Sequence, residues 1–268
     1  MSVARRSFLG AALGAVAIGP GARAQSGTAN YTPQVGQGGK DVVWVPTSQT
    51  LVDRMLDMAG LTPQDRLVDL GSGDGRLVIT AAKRGARARG IEYNPDMVAL
   101  SRRAAEAEGV AGRATFEQAD IFASNFSEAT VVTLFLLPNL NMRLRPTLLD
   151  MPAGTRVLSN SFTMEDWQPD DSFHVAEGCS GYCNALKWVV PAQVGGQWQL
   201  GEQRLVLTQS FQMLTGSLGG SAALADAQLN GAQIRFTAGG RRYVGQVAGT
   251  AMRGTVDGAG WKATRIAG

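Results

Sequence analysis

The chain is predicted to be α/β, a parallel sheet with helices on both faces followed by a separate antiparallel β domain. Three observations carry that expectation. Residues 66–82 run from the apolar Leu67-Val68-Asp69-Leu70 through Gly71-Ser72-Gly73-Asp74-Gly75 into Leu77-Val78-Ile79-Thr80-Ala81-Ala82, the pattern of a strand, a tight turn and a helix. Strand-like and helix-like runs then alternate as far as Trp188, the order that builds a parallel sheet. From Gly195 onward the runs are short, rich in β-formers and separated by glycine turns.

At the start of the chain, Arg5-Arg6 precede an alanine- and glycine-rich apolar run to Ile18, and Ala22-Arg23-Ala24 forms a small-x-small cleavage site before Gln25. This resembles a twin-arginine export signal, which predicts a periplasmic or otherwise exported protein, or a cytoplasmic one where the leader is not used. Ala4 stands where Ser or Thr is usual and Gly10 where Lys is common, so a Sec signal and an uncleaved anchor stay open. The apolar run is too short to span a bilayer, and no stable membrane span is expected after cleavage. Residues 1–24 hold Arg5, Arg6 and Arg23 and no acid, so a mature chain has 25 − 3 = 22 basic residues against 22 acidic ones. That balance gives nucleic acid no electrostatic footing as a partner.

The expected organisation is a leader (1–24), a Gly- and Gln-rich link (25–40), an α/β domain (41–192) and a small antiparallel β domain (193–268). Helices are predicted over Ser48 to Ala59, with Thr47 or Ser48 as cap, and over Pro95 to Glu108, ended by Gly109. A third helix is expected over Leu140 to Leu149 despite Pro146, and strands over Ala114 to Gln118, Thr130 to Leu136 and Arg156 to Asn160. In such a sheet a ligand sits at the carboxyl ends of the strands, where Gly71, Glu92 and Asp120 all fall. In the tail, Gln197 to Leu200, Arg204 to Thr208, Phe211 to Thr215, Gln233 to Thr237, Arg242 to Val247 and Trp261 to Ile266 predict a sheet or small barrel of about six to eight strands. It reads as a structural or docking appendage more than as a binder of an apolar ligand or a protein substrate.

The glycine turn is not a dinucleotide fingerprint, because its third glycine comes one residue early and Arg76 occupies the last glycine position. With an acid at the end of its strand, Val68-Asp69-Leu70-Gly71-Ser72-Gly73-Asp74-Gly75-Arg76 resembles motif I of the class I S-adenosylmethionine (SAM) methyltransferases. The resemblance implies a Rossmann-like methyltransferase sheet with SAM as cofactor. Asp69 would lie near the methionine amino group, and the Gly71, Ser72, Gly73, Asp74 and Gly75 turn would run under the cofactor. Glu92, with Tyr93 after it, stands where a second acid holds the ribose hydroxyls, and a carboxylate accepts two such bonds. Asp120 and Ile121 stand where the family places an acid facing the adenine amine and an apolar residue lining the ring.

The lead-in Asp41-Val42-Val43-Trp44-Val45-Pro46-Thr47, followed by that motif, resembles a bacterial subgroup similar to the mitochondrial lysine methyltransferases of the ATP synthase c-subunit and the adenine nucleotide translocase. The likeness runs over roughly residues 41–191. It implies a protein lysine as acceptor, although many relatives carry Tyr where this chain has Trp44. Methyl transfer needs alignment of an amine lone pair and exclusion of water, and an apolar channel favours the neutral amine. Trp44, Asn139 and Asn160 are the candidate catalytic residues around that channel, each with a plainer reading as lid, helix cap and turn residue. The alternative is an exported SAM-fold binding protein without turnover. No metal site is expected: the only histidine is His174, and Cys179 and Cys183 are the only cysteines, with a disulfide and free thiols both open.

Overall fold

The computed structural model describes residues 31–266. The leader and its cleavage site lie outside the described residues. Helices α1 (Gln49–Ala59), α2 (Arg76–Lys83), α3 (Pro95–Ala107) and α4 (Pro138–Leu149) alternate with strands β1 (Arg66–Leu70), β2 (Arg87–Glu92), β3 (Ala114–Gln118), β4 (Val131–Leu134) and β5 (Arg156–Asn160). An antiparallel hairpin, β6 (Asp171–His174) and β7 (Asn184–Val189), completes a seven-stranded sheet of order β3-β2-β1-β4-β5-β7-β6. The order reverses at β1, and the crevice outside the β1 and β4 carboxyl ends is where a doubly wound sheet takes its ligand.

Local chemistry explains the boundaries. The Ser48 side chain accepts the Leu51 N–H at the start of α1, and Gly60 ends it in the left-handed conformation. Asn94 caps α3 with Pro95 at its first position, and α4 likewise starts on Pro138, two residues ahead of the expected Leu140. Three helices cover one face of the sheet and α4 the other: Leu51, Met55, Val78 and Val98 share one core, Leu140, Leu144, Trp167 and Trp188 the second. Strand β4 is shorter than the expected Thr130 to Leu136, because the chain leaves the sheet at Phe135 to line the crevice.

The remaining strands are β8 (Gly196–Leu200), β9 (Gln203–Ser210), β10 (Met213–Leu218), β11 (Ala222–Ala223), β12 (Ala225–Asn230), β13 (Gln233–Ala238), β14 (Arg241–Ala248), β15 (Ala251–Val256) and β16 (Ala259–Arg265). They form a nine-stranded antiparallel sheet that closes into a barrel because β9 also pairs β10. Nine strands exceed the expected six to eight. Of the runs left out, β11 and β12 have no β-branched residue and β15 has Gly254 ahead of Thr255 and Val256, so their β character comes largely from pairing with neighbours. Trp198, Leu205, Leu229, Phe236, Tyr243, Met252 and Trp261 fill the interior. The barrel docks on the α/β sheet where Phe211 stacks on Trp167 at 5.9 Å and the Gln212 amide donates to the Gln168 carbonyl at 2.8 Å.

Candidate active site

A single cleft at the carboxyl edge of the sheet gathers most of the residues singled out by sequence. Its floor is the β1–α2 turn. Gly71, Gly73 and Gly75 all have positive φ, and at Gly73 (φ 53°) a Cβ would come within 2.6 Å of Trp44 Nε1. The indole of Trp44 therefore lies directly on the turn, which places it in the wall of the cleft as expected. A Gly73→Ala substitution adds left-handed strain to that clash. We expect its melting temperature to fall by about 2–8 °C in calorimetry, from about 1–2 kcal/mol of backbone cost. Gly75 is different: it caps α2 and lies against Phe116 and Ser101, whose atoms would be 2.7–2.8 Å from a Cβ. Gly75 thus seats the helix and does not line the cleft.

Asp69, Asp74 and Glu92 make the cleft floor acidic. Asp69 is 7% exposed, and its Oδ1 accepts the Thr133 hydroxyl at 2.7 Å. Burial pushes the Asp69 carboxyl up to about 7; the Thr133 bond opposes this, and the charges of Glu92 and Asp74 add to it. Asp74 is held by Arg76, whose Nη1 also donates to the Thr47 carbonyl at 2.8 Å. Arg76, where a dinucleotide site has glycine, is therefore a brace between the turn and the N-terminal strap. Glu92 accepts the Gly73 N–H on Oε2 and the Asn94 N–H on Oε1, each at 2.9 Å, which fixes its orientation and leaves one lone pair per oxygen.

Over this floor lies a strap, residues 36–47, whose turn is closed by Gly36 N–H to the Trp44 carbonyl and Trp44 N–H to the Gln37 carbonyl, both 2.9 Å. Gln37, Gly38, Gly39 and Lys40 line the cleft, although residues 25–40 read as a link. Lys40 Nζ pairs with Asp120 Oδ2 at 2.6 Å and lies 5.1 Å from the Tyr93 ring. The Asp120 carboxyl is held below its usual range by the Lys40 hydrogen bond first and the Phe122 N–H second. Asp120, Ile121 and Tyr93 all line the cleft, but Asp120 already carries a cation that the sequence reading did not assign to it.

Asn139 and Asn160 do not join the cleft wall. Asn139 is exposed in the first turn of α4, because Pro138 starts the helix and turns it outward. Asn160 is 1% exposed, and its Nδ2 donates to Thr47 Oγ1 at 3.2 Å, so it anchors the strap. The cleft mouth is instead aromatic: Phe135, Phe162 and Tyr182 lie 5.2–6.0 Å apart in pairs. None of the three carries a motif. They leave the ends of β4 and β5 and the start of β7, and only strand order brings them together.

The geometry fits the expected cofactor. The buried Asp69 and the half-buried Asp74 and Glu92 on the floor suit a cationic ammonium and sulfonium, Glu92 is oriented with free lone pairs for vicinal hydroxyls, and Gly73 admits no Cβ where the turn meets Trp44. Known proteins agree. The ANTKMT methyltransferase domain family matches residues 69–171. A protein-lysine N-methyltransferase of Saccharolobus islandicus is 41% identical over 140 residues, covering 51% of this chain and 87% of that protein. The human lysine N-methyltransferase of the ATP synthase c-subunit is 37% identical over 128 residues, and the match takes in 54% of its length. An RNA methyltransferase from Salinibacter ruber, solved with S-adenosyl-L-homocysteine, is 44% identical, with a TM-score of 0.53 over 56% of this chain and 96% of its own. By its fold, its cleft and these likenesses, the chain belongs to the SAM-dependent methyltransferases.

Proposed function

We propose that this methyltransferase transfers its methyl group to the ε-amine of a lysine in a protein acceptor. The observation that carries this is the cleft itself, which joins an acidic cofactor floor to a mouth walled by Trp44, Leu137 and the three aromatic rings. SAM supplies an electrophilic methyl on a sulfonium. Asp69, the glycine turn and Glu92 bind and orient it, while the mouth excludes water and lines up the acceptor amine. Trp44 serves as wall and lid, and Asn160 and Arg76 act on the chemistry only by holding Thr47 of the strap. Lysine N-methyltransferases among the relatives support the reading. A likeness to an RNA methyltransferase would favour RNA, but equal numbers of acidic and basic residues after position 24 offer no phosphate-binding surplus.

The test is label transfer from methyl-radiolabelled SAM to whole-cell extract. Recovery of N-methyl-lysine after acid hydrolysis of the protein fraction is expected. Label confined to nuclease-sensitive material would end the lysine reading.

We also propose that the chain works outside the cytoplasm. The Arg5-Arg6 leader suggests it, and the Cys179–Cys183 disulfide supports it, since such bonds persist in oxidising compartments. Among the described residues no helix is long and apolar enough to cross a membrane. A leader-fused reporter recovered wholly in the cytoplasmic fraction would refute this location.

A further inference from the structure

We propose that Phe135, Phe162 and Tyr182 form an alkylammonium-binding port for the acceptor, and that the Cys179–Cys183 bond makes the port redox-sensitive by fixing its third ring. The proposal deepens the lysine reading and rests on it. Ring faces carry negative charge density and attract an ammonium, including one that already bears methyl groups. The three ring centroids are separated by 5.2, 5.6 and 6.0 Å, and all three rings border the same cleft as the cofactor floor.

Tyr182 is held differently from its two partners. Phe135 follows β4 directly and Phe162 lies two residues past the end of β5, whereas Tyr182 belongs to the three-residue loop Ser180-Gly181-Tyr182 closed by the disulfide. It is 49% exposed and sits at φ 56°, a left-handed backbone that a tyrosine keeps only when its surroundings impose it. Those surroundings are visible. Cys183 is buried in the core beneath α1, its carbonyl accepts the Val175 N–H at 2.9 Å, and Gly178 lies against Thr50 so closely that a Cβ would be 2.7 Å from Oγ1. Cys179 only partly packs on that core, so the bond to Cys183 is what draws the outer limb of the loop inward.

Reduction requires a thiol donor. Two thiolates, or one dithiol, break the S–S bond in two exchange steps, delivering two electrons and leaving two protonated cysteine thiols while the donor becomes a disulfide. Tyr182 is then free to return to negative φ and carry its ring from the port. Asp69 and Glu92 lie on β1 and β2 and Asp120 in the loop after β3, so the cofactor end is unaffected.

The experiment uses the full chain saturated with S-adenosylhomocysteine. Two probes are titrated by NMR: Nα-acetyl-Nε-trimethyl-lysine methylamide, and its neutral isostere with a tert-butyl carbon in place of the nitrogen. We expect the cationic probe to bind about tenfold more tightly than the neutral one. Tyr182→Ala should weaken it about fivefold, and Tyr182→Phe, which keeps the ring, should restore binding. A dithiol reductant, or the Cys179→Ser/Cys183→Ser pair, should reproduce the Tyr182→Ala loss and add nothing to it in the Tyr182→Ala chain. Affinity for S-adenosylhomocysteine should stay constant throughout. Equal binding of the two probes would overturn the port. Probe affinity indifferent to reduction, or falling equally in the Tyr182→Ala chain, would overturn the role of the disulfide. Lysine labelling in extract separates the two ideas: probe binding without lysine label removes the lysine reading and keeps the port, and lysine label with charge-blind probes does the reverse.

Discussion

Affinity for S-adenosylhomocysteine is expected to rise with pH up to about 7 and then level off. In the free protein burial pushes the Asp69 carboxyl up to about 7, so below that pH the group is mostly neutral. A ligand bearing an ammonium binds the ionised form better, and binding must therefore release a proton. The slope approaches about tenfold per pH unit well below 7 and vanishes above it. Isothermal titrations from pH 5 to 8.5, in buffers of different ionisation heat, read both the slope and the released proton. Asp69→Asn keeps the shape and the Thr133 contact but has no proton to lose. It should bind at least about tenfold more weakly at pH 8 and show no slope. A wild-type profile as flat as that of Asp69→Asn would contradict the assignment of Asp69 to the ammonium.

The same carboxyl affects stability with the opposite sign. Its folded value of about 7 lies above the ordinary 3.8, so the folded state holds the proton more tightly than the unfolded state does. The resulting stabilisation is complete below about pH 4 and is lost as pH rises to about 7. Without ligand, wild type should therefore lose melting temperature relative to Asp69→Asn across that window. Saturating ligand should remove the difference.

Glu92→Ala is expected to cost about 10- to 100-fold in cofactor affinity. Both carboxylate oxygens are aimed by backbone N–H groups of Gly73 and Asn94, and two ribose hydroxyls would complete their capacity. Removing the side chain deletes charge-assisted bonds worth about 1.5–3 kcal/mol and leaves two amides without an acceptor. Glu92→Gln separates the contributions. One amide oxygen can still take the Gly73 or Asn94 N–H, but the amide NH2 opposes the other, so an intermediate loss is expected. Unchanged affinity in both variants would detach Glu92 from the cofactor.

Much of what is local around the cofactor floor was legible in the sequence. The β1–α2 turn is written by three glycines that need positive φ, the starts of α1 and α3 by Ser48 and Pro95, and the floor by acids at strand ends. Each of these depends on residues within a few positions of one another, so spacing alone reveals it. The mouth and the strap were decided by tertiary structure. Lys40 meets Asp120 across 80 positions, and Asn160 meets Thr47 across 113. Phe135, Phe162 and Tyr182 converge only because β7 pairs antiparallel with β5 and presents its start at the edge where β4 and β5 end. Asn139 stands outside the cleft for the same reason in reverse: it follows β4 closely, but its direction is set by how α4 packs. A contact between distant segments has no signature in either segment, because its energy belongs to the packed pair; sequence therefore determined the cofactor floor, and the fold determined what stands over it.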